Sequence, residues 1–354
     1  MKRIVLVTVI LVSVGLTSAC VRNSSTLTRN SIAAEKHVPR ITLASSRQLS
    51  DRDRIFSITL KDDGDFFSVQ SPKRDIVQFG FAPGGELQVI GRFETAEEWS
   101  LLDLVFTSST GGFAVGRYGT VLKTENGGKS WDQVPKFTNY DLIQVAFLNE
   151  SIGYIAGKEA IINQETQALE TKIEIFRTED SGRSWKSCYK SDKENDVFRM
   201  VALTPDIALA LIAGQRLIRT TDGGKSWKDV FVAERIGDFT FGANRAGWLI
   251  GDDVNLLKSE DSGANWKKVG DFPTTLQGHR WSAISIGKTG NGLAVSEDGR
   301  IAYSLDNGNT WEAYPNQFEE SFREVQIYQN IGVILGSGSI YKVDFGMSSD
   351  SKGN

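Results

Sequence analysis

The sequence predicts an all-β fold, a single β-propeller of seven four-stranded blades, on three observations. Five eight-residue segments share the pattern Ser/Thr-x-Asp-x-Gly-x-Ser/Thr-Trp, with isolated replacements. Their closing tryptophans, Trp131, Trp185, Trp227, Trp266 and Trp311, recur at steps of 54, 42, 39 and 45 residues. A period of that size is one four-stranded blade. Gly accounts for 35 of the 354 residues and Pro for only 7. That ratio suits many tight turns with positive φ and excludes a collagen-like or Pro-rich chain.

The chain opens with Lys2 and Arg3, an apolar run from Ile4 to Leu16, the small residues Thr17, Ser18 and Ala19, and Cys20. Residues 1–19 read as a secretory signal. The apolar run is too short to span a bilayer, which takes ~20 residues. The segment resembles a bacterial lipobox, with Thr17 where Leu is usual. The resemblance implies lipidation of Cys20 and an exported, membrane-anchored lipoprotein facing the periplasm or cell exterior. Residues 20–39 then form the lipidated cysteine and a Ser-, Thr- and Asn-rich tether. The propeller is assigned to residues 40–346, and 347–354 form a polar tail.

Blade one is placed at Ile55 to Thr95 and has no repeated segment. Blades two to six follow at Trp99 to Lys136, Tyr140 to Glu194, Val197 to Ala233, Ile236 to Phe272, and Arg280 to Gln317. Within them an apolar strand, a turn and a Gly-aromatic strand recur, as in Phe239 to Phe241 followed by Gly247-Trp248-Leu249-Ile250-Gly251. Blade seven, Phe322 to Phe345, supplies three strands. Its fourth is expected from Arg40 to Ala44, which would close the ring and remove an open edge. The boxless N-terminal region is also compatible with six or eight blades.

The repeated segments resemble the Asp-box, or BNR repeat, of β-propellers. The carboxylate of Asp180, Asp222, Asp261 and Asp306 is expected to accept backbone N–H groups of its own turn, as in an Asx-turn. Asn126 can do the same in the first box, and Asn265 replaces the hydroxyl in the fourth. The five tryptophans bury apolar area between sheets. All ten residues are therefore read as structural. The five recurrent acidic or amide positions are not catalytic groups.

Ligand contacts are expected on the opposite rim, in turns between second and third strands and in crossings between blades. This places Arg117, Tyr118, Lys158, Arg216, Asp252 and Arg300 in equivalent turns. Tyr140, His279, Arg280, Trp281 and Arg323 fall at crossings. Tyr and Trp beside Arg is a binding composition, and also an ordinary rim composition, with blade packing the alternative for Trp281. The long step from Trp131 to Trp185 puts about a dozen surplus residues between Gly157 and Ile175, in one such turn.

Composition excludes several classes. Lys plus Arg is 40 against 44 for Asp plus Glu, so no basic excess favours nucleic acid. Two cysteines and two histidines give no disulfide framework, and no metal site or other cofactor is expected. Cys188 is read as a buried or semi-buried strand residue. Sialidases share Asp-boxes, but their Arg-Ile-Pro element is missing; the nearest string is Pro39-Arg40-Ile41. Sequence-adjacent acids such as Asp252-Asp253 and Glu297-Asp298 tend to diverge, which is poor geometry for an acid/base pair.

The unit from Leu102-Asp103-Leu104-Val105-Phe106 through Gly116 and Leu122 to Trp131 resembles the photosystem II stability and assembly factor family. That resemblance implies a single exported propeller, sometimes lipid-anchored, that binds newly made membrane protein in part through an arginine-rich patch. Arg117 and Lys158 match such a patch, whereas Asp252 and Glu297 occupy the same turn in blades five and six. The expected function is a monomeric, non-enzymatic scaffold for a membrane complex. The alternative is a glycan-binding or glycan-hydrolysing, sialidase-like propeller.

Overall fold

The computed structural model describes residues 38–45, 55–61, 65–70, 75–83, 86–96, 100–162, 167–192, 196–252, 255–269 and 273–346. The signal, Cys20 and nearly all of the tether, the tail, Asp253 and the stretch 163–166 lie outside them. The described residues form seven antiparallel four-stranded sheets arranged as a propeller, with only two 3-10 turns of helix. Each blade is a meander of consecutive strands except the last. There Arg40–Ser45 pairs antiparallel with Ile340–Asp344, next to Ile331–Gly336 and Phe322–Tyr328.

Burial changes in step across each blade. Second strands such as Gly112–Gly116, Ala208–Ile212 and Gly247–Gly251 are buried at every residue. A strand covered on both faces by neighbouring blades needs apolar or small residues throughout rather than an alternating pattern. Fourth strands such as Asp132–Gln133 and Lys267–Lys268 are short and exposed. There is no single core. Seven apolar clusters occupy the seven seams, for example Phe67, Val69 and Ile76 of blade one against Leu104, Ala114 and Trp131 of blade two. The last seam joins Val333, Leu335 and Ile340 of blade seven to Ile55, Ile58 and Phe66 of blade one.

The Asp-box turns form as the residue types require. Asp222 Oδ1 accepts the Thr220 hydroxyl at 2.8 Å and the Ser226 amide at 2.9 Å, while the Ser226 hydroxyl donates to Oδ2 at 2.6 Å. Thr220 Oγ1 in turn accepts the Gly224 amide at 2.8 Å. Asp180, Asp261 and Asp306 repeat the arrangement, with Asn265 Nδ2 donating in place of a hydroxyl in the fourth box. In the first box Asn126 Oδ1 accepts the Ser130 amide, and its Nδ2 donates to the Ser130 hydroxyl at 2.7 Å. The clasp keeps its shape with one bond reversed.

The box also locks one blade to the next. Gly308 has φ +70°, and a Cβ there would stand 2.3 Å from the Trp248 indole of the preceding blade. Gly128 lies against Phe67 in the same way, where a Cβ would stand only 2.7 Å from the ring. The box glycine is the point where a turn is pressed onto the large second-strand residue of its neighbour. Cations on third strands reinforce the same seams. Arg177 lies over the Tyr154 ring and donates to Pro205 O, and Lys258 lies over Trp248 and reaches Asn309.

First strands line the central channel, where a cavity of about 510 Å³ opens. In six blades the first strand shifts register near its start, so that Ser57, Asp103, Gln144, Arg199, Ala283 and Glu324 take equivalent positions. Asp238 holds that position in blade five. Three of these are carboxylates, and each accepts a backbone N–H from the next blade. Asp103 takes the Val145 amide at 2.9 Å, Asp238 the Ile284 amide at 3.0 Å, and Glu324 the Ile58 amide at 3.3 Å.

Candidate binding face

In a four-stranded meander the first and third turns share one rim, and the second turn shares the other with the crossing to the next blade. The Asp-boxes are third turns, so the second turns and crossings form the opposite rim. Most of the residues expected at a ligand face lie on it, and the structure shows what each one does there.

Five of the six candidate cations are paired to a carboxylate. Arg117 Nε lies 3.9 Å from Asp141, and Lys158 Nζ 2.9 Å from Asp196. Arg216 meets Asp229 at 2.8 Å, Arg300 meets Asp298 at 3.6 Å, and Arg280 meets two acids. Arg323 instead donates to Gly336 O at 3.2 Å and borders the channel. Pairing of this density makes the rim a mosaic of compensated charge rather than a bare basic patch.

The densest part lies across blades five and six. Arg235 donates to Asp252 at 2.6 Å and to Glu297 at 2.5 Å. Arg280 faces the same two carboxylates at 3.6 and 3.5 Å, with its side chain 65% exposed. The result is a square of two guanidinium groups and two carboxylates, tightly bonded on one side and loosely on the other. Beside it His279 Nδ1 lies 2.8 Å from Asp298. Burial opposes ionisation of Asp298, but the Ser296 hydroxyl and the His279 ring outweigh it and hold the carboxyl below its usual range. Arg235, Glu297 and Asp298 were not among the expected contacts. Their signal in the sequence is only position, an arginine in a crossing and an acidic pair in a second turn.

Three further residues differ in character. Tyr118 is 62% exposed in a left-handed conformation with φ 55°, and its amide donates to Asp141. Tyr140 is half-buried, with its ring edge against Phe176. Burial, with Glu174 and Glu159 nearby, pushes its phenol above the ordinary value. Trp281 is a correction: it is fully buried, in the seam that holds Trp248 and Leu276, and its indole donates to Leu276 O at 3.3 Å. The register shift after Trp281 turns its ring inward. Phe198 and Val232, not expected, are 55% and 62% exposed on blade four near the channel and the rim.

The described surplus residues of blade three are mostly paired strand. They lengthen the second and third strands to ten residues each, Gly153–Ile162 and Leu169–Thr178, paired in register from Gly153↔Thr178 to Ile162↔Leu169. The pairs from Glu159↔Lys172 onward extend past the first strand of the blade, whose last partner is Lys158. A two-stranded arm therefore rises from the candidate rim.

Chemically, this rim can hold a partner through exposed aromatic and apolar side chains amid paired charge. Among the described residues no group of three or more His, Cys, Asp or Glu is placed to hold a metal ion. Asp252 and Glu297, the two acids that face one another, have the Arg235 guanidinium between them.

Comparison with known proteins supports the same resemblance. Residues 88–172 match the family model described as photosynthesis system II assembly factor YCF48. The chain is 26% identical over 210 residues to the photosystem II assembly lipoprotein Ycf48 of a Synechococcus strain, covering 59% of this chain and 47% of that protein. It is 22% identical over 272 residues to the Ycf48 of Prochlorococcus marinus, covering 66% and 80%. It also matches a vacuolar protein sorting/targeting protein 10 of Fusarium vanettenii, 33% identical over 118 residues, which is 32% of this chain and 7% of that one. The chain thus spans less than half the length of two of these relatives. Among solved structures, YCF48 from Cyanidioschyzon merolae superposes with a TM-score of 0.62 at 14% identity, covering 86% of this chain and 98% of that one. That likeness is one of fold.

Proposed function

We propose that this protein is a non-enzymatic, exported and lipid-anchored propeller that holds a segment of a membrane-protein complex during assembly, in the manner of a photosystem II assembly factor. The observation that carries the reading is the rim opposite the Asp-boxes, with its exposed Tyr118, Phe198 and Val232 set among compensated ion pairs. Such a surface suits a protein partner, because aromatic anchors supply contact area and paired charges set register without a large desolvation cost. Two relatives are named as assembly lipoproteins, in agreement with the lipobox-like segment ending at Cys20. The proposed contacts are Arg117, Tyr118, Tyr140, Lys158, Arg216, Asp252, His279, Arg280, Arg300 and Arg323. Trp281 acts beneath them as packing.

A hydrolytic reading requires two carboxylates with open space between them for a sugar oxygen and a water. In the Asp252–Glu297 pair that space holds a guanidinium, which favours the scaffold.

The test is cross-linking and affinity capture from membranes of the native host, with the wild-type chain and a Tyr118→Ala, Arg280→Glu double variant. The expected result is a membrane-protein partner recovered with wild type and reduced at least roughly tenfold with the variant, the loss of two hot-spot contacts. Equal recovery with both, or cleavage of a sialoside or glucan by the purified chain, would sink the reading.

A further inference from the structure

The channel belt places three carboxylates, Asp103, Asp238 and Glu324, at equivalent positions on blades two, five and seven, with Arg199 as the cation of the belt. Each carboxylate stitches its own blade to the next through a backbone N–H. They are not equally well supported. Asp103 accepts the Ser57 hydroxyl at 2.7 Å and the Leu104 and Val145 amides at 2.9 Å. Asp238 has the Phe239 amide at 2.8 Å, the Ile284 amide at 3.0 Å and Arg199 Nε at 3.3 Å. Glu324 has only longer bonds, from the Ile58 amide at 3.3 Å and Gln326 Nε2 at 3.4 Å.

We propose that the belt is a proton-dependent lock on the ring, in which Glu324 holds the seam between blades seven and one while it keeps its proton and loosens it on ionisation. Burial raises all three carboxyls, and Glu324 is singled out by having the longest bonds and no ion pair among the described residues. One guanidinium cannot neutralise three carboxylates, and it lies against Asp238. A charge on Glu324 would be buried beside Asp103, and among the described residues nothing of opposite sign lies as near to it as the guanidinium does to Asp238. The same cavity is lined by the uncharged Ser57, Gln144 and Gln326, by Asp238 with its Arg199 partner, and by Arg323, whose guanidinium donates to Gly336 O at 3.2 Å rather than to Glu324. Burial is the largest influence on this carboxyl and pushes it up to about 8; Arg199 opposes and Asp103 adds to the rise. The proton is also compatible with the bond seen, because the carbonyl oxygen of a neutral carboxyl still accepts the Ile58 amide.

The sign follows from linkage. A carboxyl raised in the folded state contributes stability that is complete below its unfolded value and is lost as pH rises through the folded value. The window therefore runs from the ordinary glutamate range up to about 8. The experiment is urea unfolding of the whole chain at several pH values, with hydrogen exchange at the three stitched amides. In wild type the folding equilibrium constant should fall roughly several hundredfold between about pH 5 and about pH 8. The Glu324→Gln variant, which keeps the acceptor without a titratable proton, should lose most of that dependence. Protection of the Ile58 amide should drop with pH more than that of Val145 or Ile284. Parallel pH profiles for wild type and variant, or uniform exchange at all three amides, would overturn the proposal. Should the variant not fold, the carboxyl carbon of Glu324 followed by NMR in wild type decides. A midpoint above about 6 supports the lock, and one in the ordinary glutamate range refutes it.

Discussion

At the scale of single residues, the Asp-box joins a local clasp to a contact between blades. The clasp has a pH signature. Hydrogen bonds, chiefly from Ser184 to Asp180, Ser226 to Asp222 and Asn265 to Asp261, pull these carboxyls down to about 2. A depressed carboxyl contributes stability that is present above its unfolded value and lost as pH falls through the folded one. Melting temperature should therefore drop between about pH 4 and about pH 2, and Asp222→Ala should flatten part of that drop while lowering the melting temperature at neutral pH. Asp222→Asn should be milder, because Asn126 already sustains the same turn with one bond reversed. The interblade contact is tested by Gly308→Ala. Its added methyl would meet the Trp248 indole at positive φ, and the expected cost is about 1–3 kcal/mol in denaturant unfolding. Gly278→Ala, also at positive φ but with open space around it, should cost less. Cys188 gives a third check. Burial pushes its thiol up to about 12. Partly buried and kept protonated at neutral pH, it should react with a thiol reagent far more slowly than in the unfolded chain.

At the scale of elements, what could be read in the sequence followed from what each element demands of its residues. A box turn needs an Asp, a Gly and a Trp at fixed offsets, so five boxes declared five blades and their period. Second strands buried on both faces need uninterrupted small and apolar residues, and these too were visible. The channel belt was not legible. Its members are Ser, Asp, Gln, Arg, Ala and Glu, and only the register shift that brings them level makes them one feature. Trp281, which the sequence leaves open between rim contact and blade packing, is ambiguous for a related reason. An aromatic residue at a crossing resembles a rim contact until the shift after it sets its direction. The surplus of blade three read as a turn because length alone does not reveal pairing, and the ten-residue strands of the arm emerge only from the ladder. Replacing Glu159 to Lys172 with a two-residue hairpin turn should leave the melting temperature within about 2 °C of wild type, because loop length has a small effect on ring stability. If the arm belongs to the binding face, the same deletion should weaken partner capture.

At the scale of the whole molecule, stability is distributed over seven comparable seams rather than held in one core. A closed ring of this kind fails where one seam opens. Removing residues 1–45 would leave Ile340–Asp344 as the outer strand of a three-stranded blade with an unpaired edge. The truncated chain should unfold at lower denaturant and self-associate, as read by light scattering. A monomer of unchanged stability would show that Arg40–Ser45 does not secure the ring. The pairing of that strand also sets an order in time. Thr42 lies beside Lys342, 300 residues away along the chain. The first strand to be synthesised therefore finds its partner only when nearly the last has appeared. Contacts of such long sequence separation form late. Until then the early segment stays unpaired, open to wrong strands and to proteases. Completion of the seventh blade is thus expected to limit the folding rate, and a circular permutant that joins the ends and starts at a blade boundary should fold faster without being more stable.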